Sequence, residues 1–347
     1  MQTISFNKIV IFGVGLIGGS LALALRRAGW TGTVVGVGRT ATSLARAREL
    51  GVIDEALALN DPDVFRAAAT GADCIICAAP VAQTLPLLQG LAPWLAPHTI
   101  VTDVGSTKSD AVAAARLALG AKVGQFVPAH PIAGREASGV DAALADLYVG
   151  RNVVLCPLPE NAAASIASVA AMWTAAGANV AQMGAAEHDA VFATVSHLPH
   201  MLAFSFLEHI LRSADSAHRL NYAGSGFRDF TRIAAASPEM WRDISLANRV
   251  ALLEEIDGYR TVLDELRGLI AAGDEGAMNA LFARASAARS SWGERQAASG
   301  AAAGGIASSS ADSGAGFASG SSAVSTEPLS AAGVTKPRSD TGDKFSE

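Results

Sequence analysis

Cysteine occurs only three times in 347 residues, as Cys74, Cys77 and Cys156, which excludes a secreted disulfide framework. Cys74 and Cys77 form a CxxC within the apolar run ADCIICAAP, but no second pair completes a zinc site, so buried free thiols in a strand are expected. Charged residues are sparse too, at 17%, and the net charge of -6 gives no electrostatic reason to expect nucleic acid or an anionic membrane as partner. No uninterrupted apolar run reaches the roughly 18 residues of a membrane span. The first strand, NKIVIFG, comes almost at once, with no secretory leader before it. These absences lead us to expect a cytoplasmic protein. What is abundant is apolar: 50% of residues are hydrophobic and the mean hydropathy is +0.30, which suits a compact enzyme long enough for two domains.

In the first half, short β-rich runs alternate with Ala/Leu-rich helical stretches. KIVIF, TVVGV, DCIICAA, TIVTDV, VGQFV and NVVLC read as buried strands, and a helix near 160–176 and a strand NVAQM complete a dinucleotide-binding domain over 1–184. The alternation predicts an α/β Rossmann-type doubly wound parallel sheet. Beyond 185 the strand signal gives way to helical spacing, apolar at 191, 195, 198 and 202, so an all-helical domain over 185–295 should follow. Its helices are apolar on more than one face, which suggests a homodimer built through them. From 296 to 347 the chain is almost entirely Ala, Ser and Gly, a composition that buries too little apolar surface to order itself; a disordered tail is expected there.

VIFGVGLIGGSLALAL places Gly13, Gly15 and Gly18 as GxGxxG between the first strand and a long helix. The first glycine permits the turn, the second the approach of a pyrophosphate, and the third close packing of helix on strand. Backbone at Leu16 and Ile17, in the helix's first turn, then faces the phosphates. The second strand ends in Gly38, Arg39 and Thr40, where an NAD-preferring site usually has an acidic residue. Without that carboxylate, Arg39 can pair with a 2′-phosphate and Thr40 can donate to it, unless Arg39 is a solvated loop cation. NADP is the expected cofactor, with NAD use left open.

Four further stretches carry polar residues where a ligand would sit. In TDVGSTKSD, Ser106 lies near the start of a helix, as a cap, a site residue or both. In FVPAHPIAGRE, His130 stands between Pro128 and Pro131, which hold the turn out of helix around a side chain suited to taking a proton near neutral pH. In SHLPH, Ser196 and His200 share a helix face, Pro199 bends the helix, and His197 points elsewhere. In GFRDFTRIAAASPEMWRD, Arg228, Asp229 and Arg232 fall on neighbouring turns of one helix, as a salt-bridge network or as an anion site in which Arg232 takes a carboxylate.

In this order GVGLIGGS, DVGSTKSD, AHPIAGREASG, SHLPH and FRDFTRIAAASPEMWRDI resemble the prephenate/arogenate (cyclohexadienyl) dehydrogenases of tyrosine biosynthesis, over residues 6 to 295. The resemblance implies oxidative decarboxylation with an oxidised nicotinamide cofactor. By it, His130 assists deprotonation of the ring hydroxyl, Ser106 orients histidine and hydroxyl, and Arg232 binds a substrate carboxylate. Ser196 and His200 line the pocket, and Glu136 belongs to a polar network at its entrance. No metal is required, because aromatisation drives the reaction. Gly38, Arg39 and Thr40 depart from the family's acidic signal, and no regulatory or mutase domain is recognisable.

Two rivals remain at this stage. A two-domain hydroxyacid or imine oxidoreductase would carry a lysine or aspartate where this chain has SHLPH. A non-enzymatic dinucleotide sensor would need the glycine motif without His130, Ser106 and Arg232.

Overall fold

Along β1 (Lys8–Phe12) the side chains alternate between two cores: Ile9 and Ile11 pack into one, Val10 and Phe12 into the other. A central strand covered on both faces has no solvent side, so its sequence reads as an unbroken apolar run. β4 (Cys74–Cys77) repeats the pattern, with Cys74 and Ile76 on one face and Ile75 and Cys77 on the other. All three cysteines are buried free thiols. The other strands of this sheet are β2 (Thr33–Gly38), β3 (Glu55–Ala58), β5 (Ile100–Asp103) and β6 (Phe126–Val127). Their order is β3-β2-β1-β4-β5-β6 and every pairing is parallel. The chain crosses over through α1 (Leu16–Arg27), α2 (Ala41–Glu49), α3 (Val64–Ala69), α4 (Thr84–Leu91) and α5 (Ser109–Leu119). The sheet is therefore the doubly wound one expected, and its strand order reverses between β1 and β4, where such sheets take their ligands.

Two expectations about this half are corrected. β3 is a mostly exposed edge strand, EALA, without the apolar signal by which the others were found. The strands after β6 do not extend the main sheet. β7 (Ala129–Pro131), β8 (Asn152–Leu155) and β9 (Asn179–Gln182) form a second, three-stranded sheet, with β7 antiparallel to β8 and α6 (Ala163–Ala175) between β8 and β9. Pro128 explains the switch. It has no N–H for a ladder, and the next N–H, that of Ala129, goes to the Asp103 carboxylate at 3.0 Å. VGQFV accordingly contributes only Phe126–Val127 as strand, after a 3-10 turn over Gly120–Gln125.

The computed structural model describes residues 4–135 and 137–305, with side chains described to 295. Residues up to Gly300 form one compact unit, which holds every side chain discussed below. After β9 the elements are helical: α7 (Ala185–Phe192), a π-helical turn (Ala193–His197), α8 (Leu198–Leu211), α9 (Ser216–Leu220), α10 (Ser225–Thr231), α11 (Pro238–Ala247), α12 (Arg249–Ala272) and α13 (Glu275–Gly305). α13 runs past the boundary expected at 295, and residues 306–347, where the rest of the expected tail falls, lie outside the described residues. The continuous helix Ala185–Leu211 is long and apolar enough to cross a membrane by length and composition, which the sequence reading had not found. Here it forms a wall of the cleft described next, with His188, Asp189 and His197 buried in the protein.

Candidate active site

The glycine motif is built as its spacing demands. Gly13 has φ +98°, and a Cβ there would stand 2.5 Å from the Ala78 carbonyl oxygen. A Cβ on Gly18 would meet the Gly13 carbonyl oxygen at 2.5 Å, so helix α1 could not lie this close to β1 with any larger residue. Gly15, by contrast, has nothing within 4 Å of its Cβ position. It is the N-cap of α1 and offers no side-chain cap, so the amides of the first turn, at Leu16 and Ile17, keep their donors for a ligand in the open space above. The donors, the positive end of a twelve-residue helix and the missing side chain fit a pyrophosphate.

At the end of β2, Arg39 and Thr40 are exposed. Thr40 is the N-cap of α2, and its hydroxyl lies 2.7 Å from that of Ser43. Arg39 has no ion pair to another described residue. Gly38 packs under Leu44, whose Cδ2 would be 3.0 Å from an added Cβ.

His130 sits in β7, paired in register with Val154, and is 9% exposed. Its Nδ1 lies 2.8 Å from His188 Nε2, and His188 Nδ1 lies 2.9 Å from Asp189 Oδ1. Phe192 packs against both imidazoles, with ring centroids 4.9 and 4.4 Å away. Burial holds the His130 pKa well below the usual histidine value, and the Lys108 charge adds to that, followed by His188 and His197. His130 is thus a neutral imidazole at physiological pH.

Beneath it lies a buried ion pair between Lys108 and Asp103. Lys108 Nζ also donates to the Ala129 carbonyl at 2.9 Å, while Asp103 accepts the Ala129 N–H, so the pair clamps the residue before His130 from both sides. Lys108, not Ser106, is the N-cap of α5, and the cap comes from another element: Asp189 accepts the backbone N–H groups of Lys108 and Ser109, each at 2.8 Å. Ser106 is half-buried just ahead of that cap and makes no hydrogen bond to His130 in this structure; the ring bonded to His130 is that of His188.

The far wall comes from SHLPH and its surroundings. The bend expected at Pro199 is realised as the π-helical turn Ala193–His197, with Pro199 in the first turn of α8. His200 Nδ1 donates to the Ser196 carbonyl at 2.9 Å, and its ring lies flat on Trp241 with centroids 3.6 Å apart. Burial and then the Arg232 charge lower its pKa, against the raising effect of that hydrogen bond. His197 is a buried structural residue, as expected: Asn248 Nδ2 donates to its Nδ1 at 3.0 Å. Arg228 and Asp229 lie in α10, but α10 ends at Thr231, and Arg232, its C-cap, opens a 3-10 turn instead of continuing their helix. Glu136 lies outside the described residues.

His130, Ser196 and His200 line one open cleft of about 800 Å³, together with Phe192 and Trp241. Arg135 and Arg151, two guanidiniums without a partner among the described residues, line it as well. Arg232 stands beside it, close enough to act on His200. His188, Asp189, Lys108, Arg135 and Arg151 escaped the sequence reading. Lys108 lies within TDVGSTKSD and Arg135 within FVPAHPIAGRE, but nothing in the order of residues links 130 to 188. A neutral imidazole in a cleft with cationic groups can take a proton from an anionic substrate.

The geometry has counterparts among known proteins. Residues 21–182 match the family model described as prephenate dehydrogenase, nucleotide-binding domain, and 184–284 match prephenate dehydrogenase, dimerization domain; the latter supports a homodimer. The chain is 36% identical to the prephenate dehydrogenase of Bacillus subtilis (strain 168) over 264 residues, 75% of this chain and 69% of the relative. It is 34% identical to the cyclohexadienyl dehydrogenase of Zymomonas mobilis over 271 residues, 78% of this chain and 90% of the relative. Among solved structures, the prephenate dehydrogenase of A. aeolicus in complex with hydroxyphenyl propionate and NAD+ superposes with a TM-score of 0.78 at 34% identity, covering 84% of this chain and 99% of that one.

Proposed function

Since the chain belongs to the prephenate dehydrogenase family, we propose that it catalyses the NAD(P)-dependent oxidative decarboxylation of prephenate to 4-hydroxyphenylpyruvate, of arogenate to tyrosine, or of both. The observation that carries this reading is the position of His130: a neutral imidazole lining a cleft with cationic groups, in a protein whose main sheet carries an open pyrophosphate cradle.

When bound, the nicotinamide accepts the hydride that leaves the ring carbon bearing the hydroxyl. Gly13, Gly15 and Gly18 would hold the cofactor's pyrophosphate with the first-turn amides at Leu16 and Ile17. His130 takes the hydroxyl proton as the hydride departs. The bond to the ring carboxylate then breaks, CO₂ leaves, and its electron pair completes the aromatic ring. The ring oxygen is left as a phenolate, to which His130 returns the proton, so the histidine ends the cycle as it began. Arg232 binds a carboxylate of the substrate, Ser196 and His200 position the ring from the far wall, and Ser106 acts at the hydroxyl side.

The preferred cofactor is NADP, with NAD accepted. Gly38 provides no carboxylate to repel a 2′-phosphate, and Arg39 stands exposed and unpaired beside the Thr40 hydroxyl. The enzyme works as a homodimer in the cytoplasm, where its three thiols stay reduced.

Absorbance at the reduced-nicotinamide band, with purified protein, prephenate or arogenate, and NADP or NAD, tests the reading. Turnover with CO₂ release establishes the reaction and names substrate and cofactor. Silence in all four combinations rejects it in favour of a hydroxyacid or imine oxidoreductase on the same fold.

A further inference from the structure

A neutral imidazole can act as a base toward the cleft only if the nitrogen facing the cleft carries no proton. Nothing in His130 itself decides between its two tautomers. The atoms behind it do. Asp189 accepts two backbone N–H groups, those of Lys108 and Ser109, and these donors have no alternative acceptor at the start of α5. With them, the His188 hydrogen bond holds the Asp189 pKa below the usual carboxylate value in spite of burial. Asp189 is therefore an ionised acceptor, with no proton to offer.

His188 Nδ1, 2.9 Å from Asp189 Oδ1, must then carry the hydrogen of that bond. With its hydrogen on Nδ1, His188 offers Nε2 as the acceptor towards His130. The atom 2.8 Å away, His130 Nδ1, must donate. His130 thereby has its own single proton on Nδ1, and Nε2 is left bare on the cleft side. Phe192 packs against both rings beside this bond. We propose that Asp189 and His188 form a relay that fixes the tautomer of His130, with His188 as the positioning residue for the base. Asp189 has a double part in this, since the carboxylate that sets the relay also caps the helix leading from Ser106.

The inference rests on His130 being the base. The charged and titratable groups facing the pair are Lys108 and its partner Asp103 from the main sheet side, Asp189 from the same helix as His188, and His197 from the following turn. Burial, then Lys108, His188 and His197, all oppose a second proton on His130.

Two variants and one spectrum test it. In ¹⁵N-histidine-labelled wild-type dimer near pH 7.5, with the His130 signal assigned through His130→Asn, Nδ1 should be the protonated nitrogen and Nε2 the bare one. In His188→Leu the donor on His130 loses its acceptor, so the Nε2–H tautomer should gain population. Turnover should fall by about 10²-fold, the low end of a general base's contribution, while the KM for the nicotinamide cofactor stays put. His188→Gln, whose amide oxygen reaches the position of Nε2, should restore the Nδ1–H tautomer and recover most of the turnover lost in His188→Leu. An Nε2–H tautomer in the wild type overturns the relay, whether or not the leucine variant folds. So does wild-type turnover in His188→Leu. Full activity in His130→Asn would instead remove the base assignment beneath it.

Discussion

Asp189 Oδ2 accepts the backbone N–H of Ser109 at 2.8 Å, so a residue of α7 closes the first turn of a helix that begins 80 positions earlier. Oδ1 does the same for Lys108, whose own side chain is turned away into the ion pair with Asp103. Removing a capping side chain typically lowers stability by about 1–2 kcal/mol. Asp189→Ala should therefore lower the unfolding free energy obtained from urea titration by that amount as well as impair turnover. A variant with wild-type stability would mean that water replaces the cap without penalty.

His130→Asn tests the base directly. The asparagine Nδ2 can keep the hydrogen bond to His188, so the fold around β7 should hold, but no imidazole remains at position 130 to take the proton. Turnover should fall by about 10²–10⁴-fold, with cofactor affinity measured by fluorescence titration unchanged. Near-native turnover would reject the role.

The cofactor preference turns on residues 38 to 40. A charge-assisted hydrogen bond is worth about 1.5–3 kcal/mol, so Arg39→Ala should raise the KM for NADP by about tenfold or more and leave that for NAD nearly unchanged. Gly38→Asp should shift the preference towards NAD. Its Cβ would press on Leu44, with Cδ2 at 3.0 Å and Cγ at 3.2 Å, so this buried leucine must shift by a few tenths of an ångström and some stability should be lost. Equal effects on both cofactors in Arg39→Ala would show that the guanidinium does not meet a 2′-phosphate.

What the sequence disclosed, and what it hid, follows from how locally each feature is encoded. Gly13, Gly15 and Gly18 act on one turn of backbone, so their order alone reveals the cradle. β1 and β4 are covered on both faces, and an unbroken apolar run is the mark of that burial. β3 is exposed and β7 is three residues long, so neither leaves such a mark. The pairing of β7 with β8, where β6 just before it pairs with β5, depends on a missing N–H at Pro128 and on Asp103, 26 positions away from Ala129. The relay behind His130 is the least local feature of all: His188 becomes its partner only once α7 has docked against the second sheet, and on its own it reads as an ordinary helix histidine. Arg232 reads from the sequence as sharing one helix with Arg228 and Asp229, but α10 gives way to a 3-10 turn there.

Either substrate proposed here carries two carboxylates, and the cleft has three guanidiniums in or beside it: Arg135, Arg151 and Arg232. If Arg232 makes the bidentate contact, Arg232→Gln should raise the substrate KM by about 10- to 10²-fold, the equivalent of one charged hydrogen bond. Arg151→Gln, which removes an exposed charge at the rim, should have a smaller effect that fades in high salt. Steady-state kinetics at two ionic strengths separates the two. A salt-insensitive, larger loss at Arg151 would reassign the carboxylate contact to it.

The histidines of the core make stability depend on pH in a stated direction. His197 is buried, and burial lowers its pKa from 6.5 to about 4, with Asp189 opposing and the other two imidazoles, His188 and His200, adding to the shift. Above pH 6.5 neither the folded nor the unfolded chain protonates this ring, and it has no effect on stability. Between 6.5 and about 4 the unfolded chain takes up a proton that the folded one refuses. Unfolding is then favoured by up to about 1.4 kcal/mol per pH unit for each such group, and stability falls as the pH drops. Below about 4 both states are protonated and this slope ends. His130, also lowered, acts in the same sense. His197→Asn keeps an oxygen where Nδ1 accepts from Asn248, so its structure should survive with some loss from the smaller side chain. Urea unfolding at pH 7.5, 6.5, 5.5 and 4.5 should show a shallower decline for the variant than for the wild type, whatever the offset between them. Parallel curves would show that His197 is not a source of the acid sensitivity.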